Sequence, residues 1–178
     1  MKTIACILSV LFIVLLFYGT GSVQCHFIDI QKDPQNTFTA FTSTIWTQTT
    51  QADFETGSIK FVDTTTVPGD VILDTAGKKY RSTGNLRSNV LNMGSTGKKI
   101  DLLCWDATLP PSTTITFQFR ASDTEFDVTS GVPEWIDVGT NPVITNLPNG
   151  QYVQWRAYLE TSNVTVTPTL HEVQIWYH

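Results

Sequence analysis

The amino-acid sequence predicts an all-β fold: an antiparallel two-sheet β-sandwich, with a jelly roll as the favoured topology, behind an N-terminal hydrophobic leader helix. Three observations lead there. Two segments alternate strictly between apolar and polar residues, as half-buried strands do. Residues 114–122 put Ile115, Phe117, Phe119 and Ala121 on one face, and residues 151–160 do the same with Val153, Trp155, Ala157 and Leu159. Turn signals recur about every 8–12 residues between short apolar runs, which is the spacing of sandwiches. Beyond the leader, no window repeats with the 3.6-residue period of an amphipathic helix.

Taken in order, Met1-Lys2-Thr3 precedes an apolar run from Ile4 to Tyr18 broken only by Ser9, and then Gly19-Thr20-Gly21-Ser22. A positive end, an apolar stretch and small residues form a signal peptide over residues 1–22. The alternative is an uncleaved anchor, because residues 19–23 extend the run toward the roughly 20 residues of a spanning helix. Acylation at Cys25 fits poorly, since Gln24 stands where a small residue belongs. Both main readings place the remaining chain outside the cytoplasm, secreted or at the cell surface.

Residues 23–45 read as a tail or linker with a possible first strand, and residues 46–178 as the sandwich domain. The segment 37–50 is uncharged and rich in Thr, with Phe38, Phe41, Ile45 and Trp46. So much apolar area must pack somewhere. It either forms the first strand of its own sandwich or adds to a sheet edge of a neighbouring copy, which would build a filament. Short strands are then expected at 58–62 and 70–73, followed by 84–93 and 100–107. The last of these is apolar on both faces, as a doubly covered strand is. Residues 123–134 form a polar loop. Further strands are expected at 135–138, 143–147 and 171–177, where Val173, Ile175 and Tyr177 share a face. The shared spacing puts Ile115, Phe117, Phe119, Val153, Trp155, Leu159, Val173 and Ile175 in one core between two sheets.

Only 15% of the residues are charged and the net charge is −5. Lys and Arg are scattered with no basic stripe, which argues against a nucleic-acid partner. Cys6 lies in the leader. Cys25 and Cys104 remain, and in an oxidising compartment they suggest a disulfide; the other reading is a buried thiol at Cys104 and a Cys25 in a loose tail. The histidines are His26, His171 and His178, and neither HExxH nor GxSxG is present. Gly94-Ser-Thr-Gly-Lys-Lys99 fails as a phosphate loop, because Asn92 holds the first-glycine position; a hairpin turn fits better. His171, beside Val173 and Ile175, reads as a core-edge histidine. The carboxylates are dispersed, so nothing selects a glycosidase pair. The expectation is a protein without catalysis or a required cofactor, with a secreted hydrolase as the remote rival.

Weaker signals mark three places. Asp123, Glu125 and Asp127 alternate in a loop and offer oxygen ligands for calcium. Gln154, Arg156 and Trp176 are the candidates for sugar binding, amide and guanidinium for hydroxyl groups and indole for stacking. Asn163-Val-Thr165 is a glycosylation sequon in a surface loop.

Several segments also have a family look. These are 46–57 with 63–70, 86–97 with its Gly-Ser-Thr-Gly turn, Cys104–Pro110, Phe117–Asp123, Gly150–Leu159 and Val166–Val173. In this order they resemble a repeated β-sandwich module of large secreted microbial surface proteins, similar to the galactose-binding-like jelly rolls. The resemblance spans about residues 46–177, and its motifs are structural. It implies a structural or adhesive role at the cell surface, with surface polysaccharide or other surface proteins as partners, and carbohydrate binding as the alternative. Here the module stands nearly alone, without a catalytic neighbour.

Overall fold

The computed structural model describes residues 43–178 and the backbone of Ser22–Val23. In chain order the elements are β1 (Ser22–Val23), β2 (Thr44–Gln48), α1 (Gln51–Glu55), β3 (Ser58–Lys60), β4 (Val62–Asp63), β5 (Val71–Leu73), β6 (Thr75–Ala76) and β7 (Lys79–Tyr80). They continue as β8 (Thr83–Arg87), β9 (Leu91–Asn92), β10 (Ile100–Thr108), β11 (Thr113–Ser122), β12 (Ile136–Gly139), β13 (Val143–Ile144), β14 (Tyr152–Thr161) and β15 (Thr169–Tyr177). Residues 1–21 of the expected leader, most of the linker and Cys25 lie outside the described residues.

All strand pairs are antiparallel. In a seven-stranded sheet β10 and β15 lie side by side; β1 and β13 line the far edge of β10, β2 and β5 line the far edge of β15, and β4 pairs with β5. In a six-stranded sheet β11 and β14 pair over ten residues; β12 borders β11, β8 and β9 border β14, and β3 borders β8. β6 and β7 make a small separate hairpin. Thr44–Gln48 thus pairs with β15 of its own chain, at the sheet edge that an added strand would otherwise need.

The two sheets close on one apolar core. Every residue that the alternation assigned to the core is buried there, from Ile115 and Phe117 on β11 to Val173 and Ile175 on β15. The rings meet across the gap: Trp105 of β10 stacks on Phe117 with centroids 3.9 Å apart, and Phe117 lies 5.6 Å from Trp155 of β14. β10 is covered on both faces as expected, with Leu102 and Cys104 buried on the side away from Trp105. Cys104 Sγ donates a weak bond to Gln174 Oε1 at 3.8 Å.

The structure departs from the sequence expectation in the first half of the domain. A short helix, α1, stands where no helical window was expected. Thr50 and Asp53 cap it reciprocally: Thr50 Oγ1 accepts from Asp53 N, and Asp53 Oδ2 accepts from Thr50 N at 2.9 Å. The helix drives Phe54 into the core, edge-on to Trp155 at 6.5 Å. Buried Gln48 joins the two, accepting from Trp155 Nε1 at 2.8 Å and donating to the Asp53 carbonyl. The single strand expected over 58–62 is two strands in different sheets. Phe61, at φ 60°, turns the chain from β3 in one sheet to β4 in the other. Gly84 allows the crossing, because a Cβ there would sit 2.4 Å from the Phe61 carbonyl oxygen. The strand expected over 84–93 likewise breaks into β8 and β9, and the stretch between β5 and β8 holds the β6–β7 hairpin.

Past this crossing, Asp63 organises the Thr run. Its Oδ1 accepts from the Thr65 and Thr66 amides and the Thr65 hydroxyl, and its Oδ2 accepts from the Thr66 hydroxyl. Chiefly through the Thr66 hydroxyl and the Thr65 amide, the Asp63 pKa falls from 3.8 to about 2. A carboxyl lowered on folding adds stability above its unfolded pKa and loses it as pH falls through the folded value. Between pH 5 and 2 the protein should therefore lose about 1 kcal/mol more than Asp63→Asn does, a figure reduced because the loop is open to solvent. Thermal unfolding followed across that range would show parallel curves if Asp63 had no such role.

Candidate functional site

The outer face of the six-stranded sheet carries the main concentration of polar and aromatic chemistry among the described residues. Alternation decides which side chains point there. Inward-facing Leu86, Phe117, Phe119, Trp155 and Ala157 leave Arg87, Gln118, Arg120, Gln154, Arg156 and Tyr158 facing out. Register lines them up: Ser58, Arg87, Arg156, Gln118 and Asp137 form one row across β3, β8, β14, β11 and β12. Gly57 lets the chain enter β3 against β8, since a Cβ would meet the Arg87 carbonyl oxygen at 1.9 Å.

One end of this face is closed by the loop 123–135, and Arg120 closes it. Its side chain is fully buried. Nε and Nη2 both donate to Gln154 Oε1, at 2.9 and 2.6 Å. Nη1 reaches the carbonyls of Ser130 and Pro133, and Nη2 those of Asp127 and Val128. Gln154 Nε2 donates to the Ser88 carbonyl at 2.5 Å. Phe126 and Trp135 lie 4.5 and 4.4 Å from the guanidinium carbon. Burial first, then the charges of Arg87 and Arg156, lower the Arg120 pKa to about 10, so it stays charged at neutral pH. Neutral carbonyl dipoles rather than a carboxylate hold this charge.

The open part of the face belongs to Arg156. Its guanidinium lies 4.4 Å from the Trp135 ring and 4.9 Å from the Tyr158 ring, and Nε and Nη2 donate to Gln118 Oε1. Half-buried Trp135 thus contacts both arginines. Arg and amide groups beside two aromatic rings on a sheet face can hydrogen-bond and stack at once.

The sequence candidates map onto this unevenly. Arg156 is at the centre of the face. Gln154 is on it but sealed beneath the loop. Trp176 is on β15, in the other sheet, where Nε1 donates to Gln174 Oε1 at 3.1 Å. The three residues are therefore not brought together, because β14 and β15 follow each other in sequence but cross between sheets. Trp135 and Tyr158 stand beside Arg156 instead. Tyr158 was legible as the outward residue two places on from Arg156; Trp135, at the end of a loop, carried no periodic signal.

Of the proposed calcium ligands, Asp123 uses Oδ1 to accept from the amides of Gly97 and Gln151 at 2.9 and 3.0 Å, pinning two turns. Asp127 offers Arg120 its carbonyl, and Glu125 is exposed. Among the described residues no three His, Cys, Asp or Glu side chains gather as metal ligands. Asn163 is exposed in the β14–β15 loop, where its Oδ1 accepts from the amide and hydroxyl of Thr165. The Cys25–Cys104 pairing involves a residue outside the described set.

His171 has partners on both sides: Nδ1 lies 2.6 Å from Asp70 Oδ1 and Nε2 lies 2.9 Å from Thr108 Oγ1. This carboxylate–imidazole–hydroxyl chain joins the approach to β5 with β10 and β15 where the β10–β15 register shifts. It ties down that bulge. A shallow depression over α1, lined by Thr49, Thr50, Pro68 and Gly69, has Glu55 as its charged group, and that carboxylate is taken up by Thr64 and Gln51.

Comparison with protein-family models and with curated proteins found no match to this chain.

Proposed function

We propose that the protein is a non-catalytic, extracellular β-sandwich module with an adhesive role, and that it holds surface polysaccharide on the outer face of its six-stranded sheet. The observation that carries this reading is the grouping of Arg156 with Trp135, Tyr158 and Gln118 on that face. Rings that stack on sugar and forked donors that reach its hydroxyls are what a glycan platform needs. The leader pattern supports export. The nesting of the β11–β14 pair within the β10–β15 pair, with the chain changing sheets between them, supports a jelly roll as the finer topology.

The test is retention on a panel of soluble and insoluble polysaccharides, with the wild type beside Tyr158→Ala. Wild-type retention, weakened about tenfold by the substitution, is the expected result, one stacked ring being worth about 1.4 kcal/mol. Absence of binding to every glycan in the panel would overturn the reading.

A further inference from the structure

Arg87 on β8 and Arg156 on β14 stand directly opposite each other in register. Like charges so placed repel. No ion pair among the described residues relieves them. Among the described residues the ion pairs are Arg81–Asp74, His171–Asp70 and His178–Asp101, and none includes Arg87, Arg120 or Arg156. The one carboxylate in the same row, Asp137, faces Gln118 two strands beyond Arg156, roughly 10 Å away at ordinary strand spacing. Lys60 adds a further positive charge in the adjacent row, opposite Asn85. So a protein of net charge −5 gathers four cations on one sheet face beside two aromatic rings, with Glu160 two rows from Arg156 and no ion pair formed by Arg87, Arg120 or Arg156. Burial first, and then the Arg87 charge, hold the Arg156 pKa below its ordinary value against the opposing effect of Tyr158.

We propose that the ligand of this face is an acidic polysaccharide, with a uronate carboxylate held between Arg87 and Arg156 and its sugar ring against Trp135 or Tyr158. The inference rests on reading the face as a glycan platform and adds the charge of the glycan. Two planar guanidinium forks match a planar carboxylate, whereas neutral hydroxyl groups would leave the facing cations uncompensated. The rings select a sugar polymer over other polyanions, since a carboxylate on a flexible peptide offers nothing to stack.

The experiment measures binding of the full chain to polygalacturonate, to dextran as a neutral polysaccharide, and to polyglutamate as an acidic polymer without sugar rings. The variants are Arg87→Gln and the charge-preserving Arg87→Lys. Polygalacturonate should bind best, weaken with added salt, and lose about tenfold in affinity with Arg87→Gln and a smaller but measurable amount with Arg87→Lys. Thermal stability should be unchanged or raised in Arg87→Gln, because a repelling charge is removed; a residue that only supported the fold would lower it. If Arg87→Gln fails to fold, the comparison of Arg87→Lys with wild type carries the same test. Equal binding of dextran and polygalacturonate would overturn the acidic ligand while leaving the glycan platform standing. Equal binding of polyglutamate would also overturn it, reducing the face to general charge attraction. If neither polysaccharide binds, the platform and the inference fall together.

Discussion

Replacing Arg120 by Ala is expected to destabilise the protein by about 3–5 kcal/mol, the usual consequence of removing one partner from a buried charged network. The substitution strips Gln154 Oε1 and the carbonyls of Ser130 and Pro133 of their donor, and leaves the Asp127 carbonyl to the Ser130 amide and the Val128 carbonyl to Gln154 Nε2. It also removes the cation between Phe126 and Trp135. Arg120→Lys should recover only part of the loss, since one ammonium cannot span the positions that the guanidinium fork reaches. Urea unfolding of the three proteins provides the measurement. Faster proteolysis within residues 123–135 of Arg120→Ala should accompany it, because the loop loses its anchor. A loss below about 1 kcal/mol would mean that the loop is held from elsewhere.

Phe117→Ala is expected to cost about the same, 3–5 kcal/mol, for a different reason. Phe117 is fully buried, stacked on Trp105 from the opposite sheet and touching Trp155 beside it. Deleting the ring leaves a cavity where three aromatic groups met, and the flanking strands are hydrogen-bonded on both sides and cannot collapse into it. The unfolding temperature should drop by about 6–20 °C, at 2–4 °C per kcal/mol for a domain of this size. Trp fluorescence would report the same event, since two indoles lose their neighbour. A loss below about 1 kcal/mol would mean that the inward and outward faces of β11 had been exchanged.

The second half of the domain was legible from sequence because β10, β11, β14 and β15 are long, and long strands repeat their period often enough to be read. Ile115, Phe117 and Phe119 declare an inward face without any knowledge of the partner sheet. The first half was not legible, because its strands run two to five residues. Two residues carry no period, and the switch at Phe61 depends on a backbone angle that its side chain does not announce. α1 had a local signal, Thr50 three residues before Asp53, but a helix of five residues is too short to show a stripe. The candidate site was half legible for a related reason. Alternation gave Gln154 and Arg156 their outward direction, and then extended the same face to Trp176, because period says which side of a strand a residue occupies but not which sheet the strand joins. Alternation puts Arg120 on the outward side of β11; its burial depends on a loop returning over it, which local sequence does not encode.

The position of β15 has a consequence for how the molecule comes into being. β15 follows every other described strand in the chain, yet it sits in the interior of the seven-stranded sheet, bonded to β10 along one side and to β2 and β5 along the other. Until residue 177 has emerged, β10 and β2 face an empty lane. The sheet cannot grow outward from its beginning as the chain is made. During synthesis or export, these earlier strands must wait with open edges, which are the places where unfinished sheets stick to one another. The nine residues of β15 act as a keystone, and a chain cut short before Thr169 would hold the strands on either side without the one that joins them.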